Sequence, residues 1–164
     1  MEMVYPKSSC SLPSDIDVTQ NLGTQEIFYT RRNPVYISLH GLPDYPYYWG
    51  LESEKGEGEG LNYNINIPLP HGTQDPEYLN ALSMAVATYI NRESTDVIVV
   101  SLGVDTFVDD PVGGFFLTKA VYNKIGIILA EIKKPTLFVM EGGYNMEHIG
   151  TNVVSLLDGF ESVN

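Results

Sequence analysis

The chain is poor in cysteine, in basic residues and in long apolar runs. Its single cysteine, Cys10, excludes an internal disulfide, and a reducing, cytoplasmic setting is the expectation that follows. No apolar run approaches the roughly 20 residues that a membrane helix needs. The opening MEMVYPKSSCSLPS lacks the charged-then-apolar layout of a secretory signal. Nine Lys and Arg against 21 Asp and Glu leave a net charge of −12, which repels a nucleic-acid backbone and attracts cationic small molecules. The same acidity is also explained by solubility alone. There is no internal repeat, and KGEGEG at Lys55 to Gly60 reads as a short acidic loop.

What is present suffices for one globular α/β domain: 164 residues, 43% of them hydrophobic. Strand and helix patterns alternate, as they do in parallel sheets joined by helical crossovers. Strands are expected at Val35 to Leu39, Asn64 to Leu69, Val97 to Leu102 and Pro135 to Met140, the last two as buried strands. Helices are expected at Thr24 to Tyr29, Asp75 to Asn91, Thr118 to Ile132 and Met146 to Leu157, with Asp75 as the N-cap of the second and Pro76 opening it. Gly41 to Gly60 is long for a loop in a compact domain, and such loops are usually functional. Residues 1–14 are expected to be irregular, and 15–164 to form the domain.

Two of the strands deliver polar residues at their ends. VIVVSLGVD carries Asp105 just past its apolar run, and PTLFVM runs into Glu141-Gly142-Gly143-Tyr144. Right-handed crossovers put both ends on one rim of the sheet, where open α/β sheets meet ligands. Read alone, Asp105 serves equally as a turn-capping residue, and EGGY serves as a helix-entry turn with an exposed tyrosine.

Taken together, SLGVDTFVDDPVGGFFLT, FVMEGGYN and NIPLPHGTQDPEYLNAL resemble the C-terminal half of the histone deacetylase and acetylpolyamine amidohydrolase superfamily, nearer the polyamine branch. The resemblance runs from about Asp15 to Phe160. It implies a partial three-layer α/β/α domain with a mainly parallel sheet, lacking the N-terminal half. It also implies zinc-dependent hydrolysis of acetyl-amides, with acetylpolyamine or acetyl-lysine as substrate. On that resemblance Asp17 and Asp105 would be zinc ligands and Tyr144 the oxyanion donor, with Gly142 and Gly143 letting the backbone approach the substrate. A structural cation, usually potassium, would sit among oxygens of Asp15, Asp17, Thr19, Ser38 and Leu39.

The sequence departs from that pattern at two places. Thr19 stands where the family's histidine ligand would follow Asp17, and a neutral hydroxyl is a weak zinc donor beside an imidazole. Two carboxylates and a hydroxyl resemble a loose magnesium or calcium site more closely. The family's catalytic histidine pair has no counterpart before Asp15, and His40, His71 and His148 do not replace it. Three functions follow as expectations. The first is a truncated deacetylase-family protein, inactive alone and weak or empty in zinc. The second is one half of a split amidohydrolase, completed by an N-terminal half. The third is a non-catalytic interaction module that uses an exposed sheet, as a homo-oligomer or with a partner, together with the tyrosine-rich PDYPYYWG loop.

Overall fold

A computed structural model describes residues 13–16, 22–43, 47–90 and 94–163. Five strands form one parallel sheet: β1 (Pro13–Ile16), β2 (Tyr36–Leu42), β3 (Asn64–Pro70), β4 (Ile98–Leu102) and β5 (Thr136–Met140). The helices are α1 (Leu22–Phe28), α2 (Asp75–Tyr89), α3 (Lys119–Ala130) and α4 (Ile149–Glu161). Spatial order is β3-β2-β1-β4-β5. The chain therefore builds outward from β1 to β3, crosses back through α2, and builds outward on the other side. Winding direction reverses between β1 and β4, and in open α/β sheets the crevice beyond such a pair is where ligands bind.

Register assigns the faces, because laterally paired residues in a parallel ladder point the same way. Ile37 lies beside Ile65, and Val100 beside Phe138. These residues join Ile98, Leu102 and Leu39 in a core that α2 and α3 complete with Tyr78, Leu82, Val121, Tyr122 and Ile125. Each fully buried aliphatic side chain of this kind contributes about 1.5–3 kcal/mol. The helices α3 and α4 cross closely because Gly126 faces the Leu156 carbonyl and Gly159 faces the Asn123 carbonyl, where a Cβ would collide with backbone. Phe138 meets Phe160 of α4 edge-on at 5.1 Å.

Element boundaries match the sequence reading to within a few residues, except that β1 begins at Pro13, inside the stretch expected to be irregular; there are three further corrections. First, Asp75 does not cap α2. Gln74 occupies the N-cap, and the Asp75 carboxylate instead accepts from the Thr118 N–H at 2.8 Å and its hydroxyl at 2.6 Å, joining the starts of α2 and α3. Second, α4 begins at Ile149 rather than Met146, because the Asn145 side chain accepts the N–H groups of Glu147 and His148 in a turn of its own. Third, β5 is not buried. Leu137 is 56% exposed and Val139 40%, because β5 lies at the sheet edge and no described element covers that face. No described helix is long and apolar enough to cross a membrane.

Candidate active site

At the carboxyl ends of β4 and its edge neighbour β5, the rim is made of two loops fastened to each other. Past β4, the chain runs Gly103-Val104-Asp105; past β5, it runs Glu141-Gly142-Gly143-Tyr144. The ladder continues beyond the strands, with the Glu141 N–H donating to Leu102 O and the Val104 N–H to Gly142 O, each at 2.9 Å. Gly143 is required at this junction. Its φ of +136° suits glycine, and a Cβ there would lie 2.7 Å from Val104 Cγ2. Further out, Asp110 accepts the Tyr144 and Asn145 N–H groups, and the Asn145 amide donates to Asp109 O at 2.8 Å. Phe107 meets the His148 ring edge-on at 5.2 Å.

Asp105 is 1% exposed, held from behind by α3. The Tyr122 hydroxyl donates to Val104 O at 3.3 Å, so the Thr106 hydroxyl at 2.9 Å must be the donor to Tyr122. Burial pushes the Tyr122 phenol above its ordinary range, which keeps it a neutral donor to the loop. Tyr144 contrasts with Asp105. Its backbone is pinned, while its side chain is 53% exposed at the rim.

A second polar cluster lies under β2. His40 Nε2 sits 3.0 Å from Gly50 O, a carbonyl that only accepts, so Nε2 carries the proton and Nδ1 accepts from the Ser38 hydroxyl at 2.8 Å. Burial lowers the His40 pKa, only partly opposed by its bond to Gly50 and by Glu54. This histidine is a neutral tether for the loop that carries Tyr47, Tyr48 and Trp49, all three exposed.

Residues 14–160 match the family model of the histone deacetylase domain. The chain belongs to the histone deacetylase domain family. It is 43% identical to acetylpolyamine amidohydrolase 2 of Pseudomonas aeruginosa over 152 residues, which is 92% of this chain and 44% of that protein. Histone deacetylase 8 of Arabidopsis thaliana is 33% identical over 97% of this chain and 45% of its own length. The crystal structure of an acetylpolyamine aminohydrolase from Burkholderia pseudomallei superposes with a TM-score of 0.89 at 35% identity, covering 95% of this chain and 45% of that one. The chain thus spans a little under half the length of these relatives, and its sheet and helices are a partial deacetylase fold.

Within this deacetylase-family chain, the expected site residues fall into three groups. Asp105, Gly142, Gly143 and Tyr144 share the rim. Ser38 and Leu39 lie on β2 opposite Asp15 and Ile16 of β1, which brings the backbone of Asp15 beside Ser38. Asp17 and Thr19 fall outside the described residues. Among the described residues no three His, Cys, Asp or Glu side chains gather as a metal-binding group. The donor set that the resemblance assigns, two carboxylates and the Thr19 hydroxyl, would fall short of the three strong donors that a catalytic zinc takes.

Sequence reasoning missed Asp110 and the pair Thr106 and Tyr122. The DDP run at Asp109 to Pro111 signals a tight turn, but nothing local says that its carboxylate bonds a segment 34 residues away. His71 is exposed and His148 packs on Phe107.

Proposed function

We propose that this chain carries the carboxylate and tyrosine side of an acetyl-amide hydrolase site, and that it does not hydrolyse alone. The observation that supports this reading is the fastening of the Asp105 loop, which borders the point where the winding of the sheet reverses, to the Tyr144 loop beside it. The substrate class is an acetylated amine, with acetylpolyamine ahead of acetyl-lysine. The relatives named acetylpolyamine amidohydrolases have the higher identity, and a net charge of −12 attracts a cationic substrate. The single cysteine supports a cytoplasmic setting.

In this reading Asp17 and Asp105 face one cation, which Thr19 holds too weakly to make a zinc centre. Tyr144 donates to the oxygen that gains charge as the amide carbonyl is attacked. A single donor of that kind is commonly worth about 3 kcal/mol, because it acts mostly in the transition state. Water activation is assigned to no residue of this chain. His40 is unsuited to it, with both ring nitrogens engaged and its proton facing Gly50. The oxygens of Asp15, Asp17, Thr19, Ser38 and Leu39 form the second cation site, for potassium. The ladder that sets Asp15 beside Ser38 supports it, as does the Ser38 hydroxyl, whose proton points to His40 and whose oxygen is therefore an acceptor elsewhere.

A second reading is favoured by β5. Its exposed apolar residues form the surface on which a complementary part of the domain would pack, in the same polypeptide or a separate one, and restore hydrolysis. Acetate release from acetylspermidine and from an acetyl-lysine peptide tests both. The chain alone is expected to release none. Addition of a polypeptide corresponding to the part of the Pseudomonas relative that this chain does not match is expected to produce release that falls about 100-fold in Tyr144→Phe. Release by the isolated chain overturns the first reading, and none from a folded complex overturns the second. One tightly bound zinc per chain would refute the account of Thr19.

A further inference from the structure

The Asp110 carboxylate has no place in the chemistry proposed so far, yet it is 8% exposed and bonded to three backbone N–H groups. Oδ2 accepts the N–H of Tyr144 at 2.7 Å and that of Asn145 at 3.0 Å, while Oδ1 accepts the N–H of Val112 at 3.0 Å. One carboxylate thus spans the two rim loops. It is anchored on its own side as well: its N–H donates to Phe107 O at 2.9 Å and its carbonyl accepts from Gly113 at 3.3 Å. Gly113 in turn lies so close to the Asp105 carbonyl that a Cβ would collide with it. A continuous set of contacts, backbone to backbone up to Asp110 and then through its carboxylate, therefore runs from Asp105 through Gly113 and Asp110 to Tyr144.

We infer that Asp110 is a positioning residue for Tyr144, fixing the height of the tyrosine backbone relative to the Asp105 loop so that its exposed phenol is presented at one distance from the carboxylate. The inference rests on the reading of Tyr144 as the oxyanion donor. The chemistry favours a carboxylate at position 110. Bonds from N–H to an ionised acceptor are short and about twice as strong as neutral ones, and a carboxylate, which only accepts, offers lone pairs to three donors at once. Asparagine would turn an N–H₂ toward one of those N–H groups, so Asp110→Asn should loosen the clamp and Asp110→Ala should open it. Gly143, beside Tyr144, has the φ of +136° noted above, so the segment needs an external tie to hold one conformation.

Two measurements test this. Amide hydrogen exchange on the 164-residue chain reads the clamp without any need for activity. Asp110→Ala is expected to speed exchange at Tyr144 and Asn145 by about tenfold or more, with Asp110→Asn intermediate, while Glu141, bonded to Leu102 in the shared ladder, stays protected. Unchanged exchange at 144 and 145 overturns the inference. So does equal loss at Glu141, which would mark general unfolding. In the hydrolytically competent complex, Asp110→Asn is expected to lower kcat by about tenfold with KM within about twofold, and to cost little more once Tyr144 is already Phe. Full additivity of the two substitutions overturns the inference. A complex that hydrolyses no acetyl-amide counts against the proposed function instead, and the exchange data then decide the positioning role on their own.

Discussion

Over β2 and β3, the sheet face that bears Ser38, His40, Asn64 and Asn66 is roofed by the chain itself; over β4 and β5, the same face continues as Val99, Leu137 and Val139 and lies open. The roof is polar. Gln25 of α1 accepts from Asn66 Nδ2 at 2.8 Å and Asn64 Nδ2 at 3.2 Å, and donates to Glu54 at 2.7 Å. Glu54 also takes the Gly50 N–H, and His40 takes the Gly50 carbonyl. The open part is aliphatic. The Nδ2 groups of Asn64 and Asn66 are matched from within the chain, while Oδ1 of each is buried without a partner among the described residues; an apolar patch instead needs only area, and area can come from other residues.

Three experiments would break or sharpen that contrast. The largest effect is expected from Gln25→Leu, which strips the buried amides of Asn64 and Asn66 of their shared acceptor and Glu54 of a donor. Stability should fall by about 3 kcal/mol, read as a lower urea midpoint at constant slope. A smaller effect follows from His40. Its folded pKa is lowered by burial, so its contribution is fully present above the unfolded value near 6.5 and is lost as pH falls below it toward the folded value. Stability should therefore drop by up to about 1.4 kcal/mol per pH unit on acidification through that window, and His40→Gln should flatten that limb. The smallest effect is predicted at the open part. Leu137→Thr with Val139→Thr should move the stability of the chain by no more than about 0.5 kcal/mol while weakening capture of the complementary polypeptide in a titration. A large loss of stability there would mean that the face is not open.

Much of this architecture was legible in the sequence, because apolar runs that end in glycine announce parallel strands and periodic apolar residues announce the helices between them. That GVD and EGGY are polar segments at the ends of two strands was legible for the same reason, whereas the roles given to Asp105 and Tyr144 came from the family resemblance. That part of the sheet would be exposed was expected, but not that β5 would be the exposed strand, since PTLFVM has the composition of a covered strand and coverage depends on what lies beside it. Asp75 looked like a cap because a residue's neighbours in sequence are visible and Thr118, 43 positions on, is not. Asp110 escaped for that same reason, its partner being a backbone N–H rather than a recognisable side chain.

Among the described residues, the four of β1 form the strand bonded to both β2 and β4. They are a keystone segment. Without them the sheet would fall into two unjoined ribbons, β2 with β3 and β4 with β5. Four residues thus decide whether a single sheet exists at all.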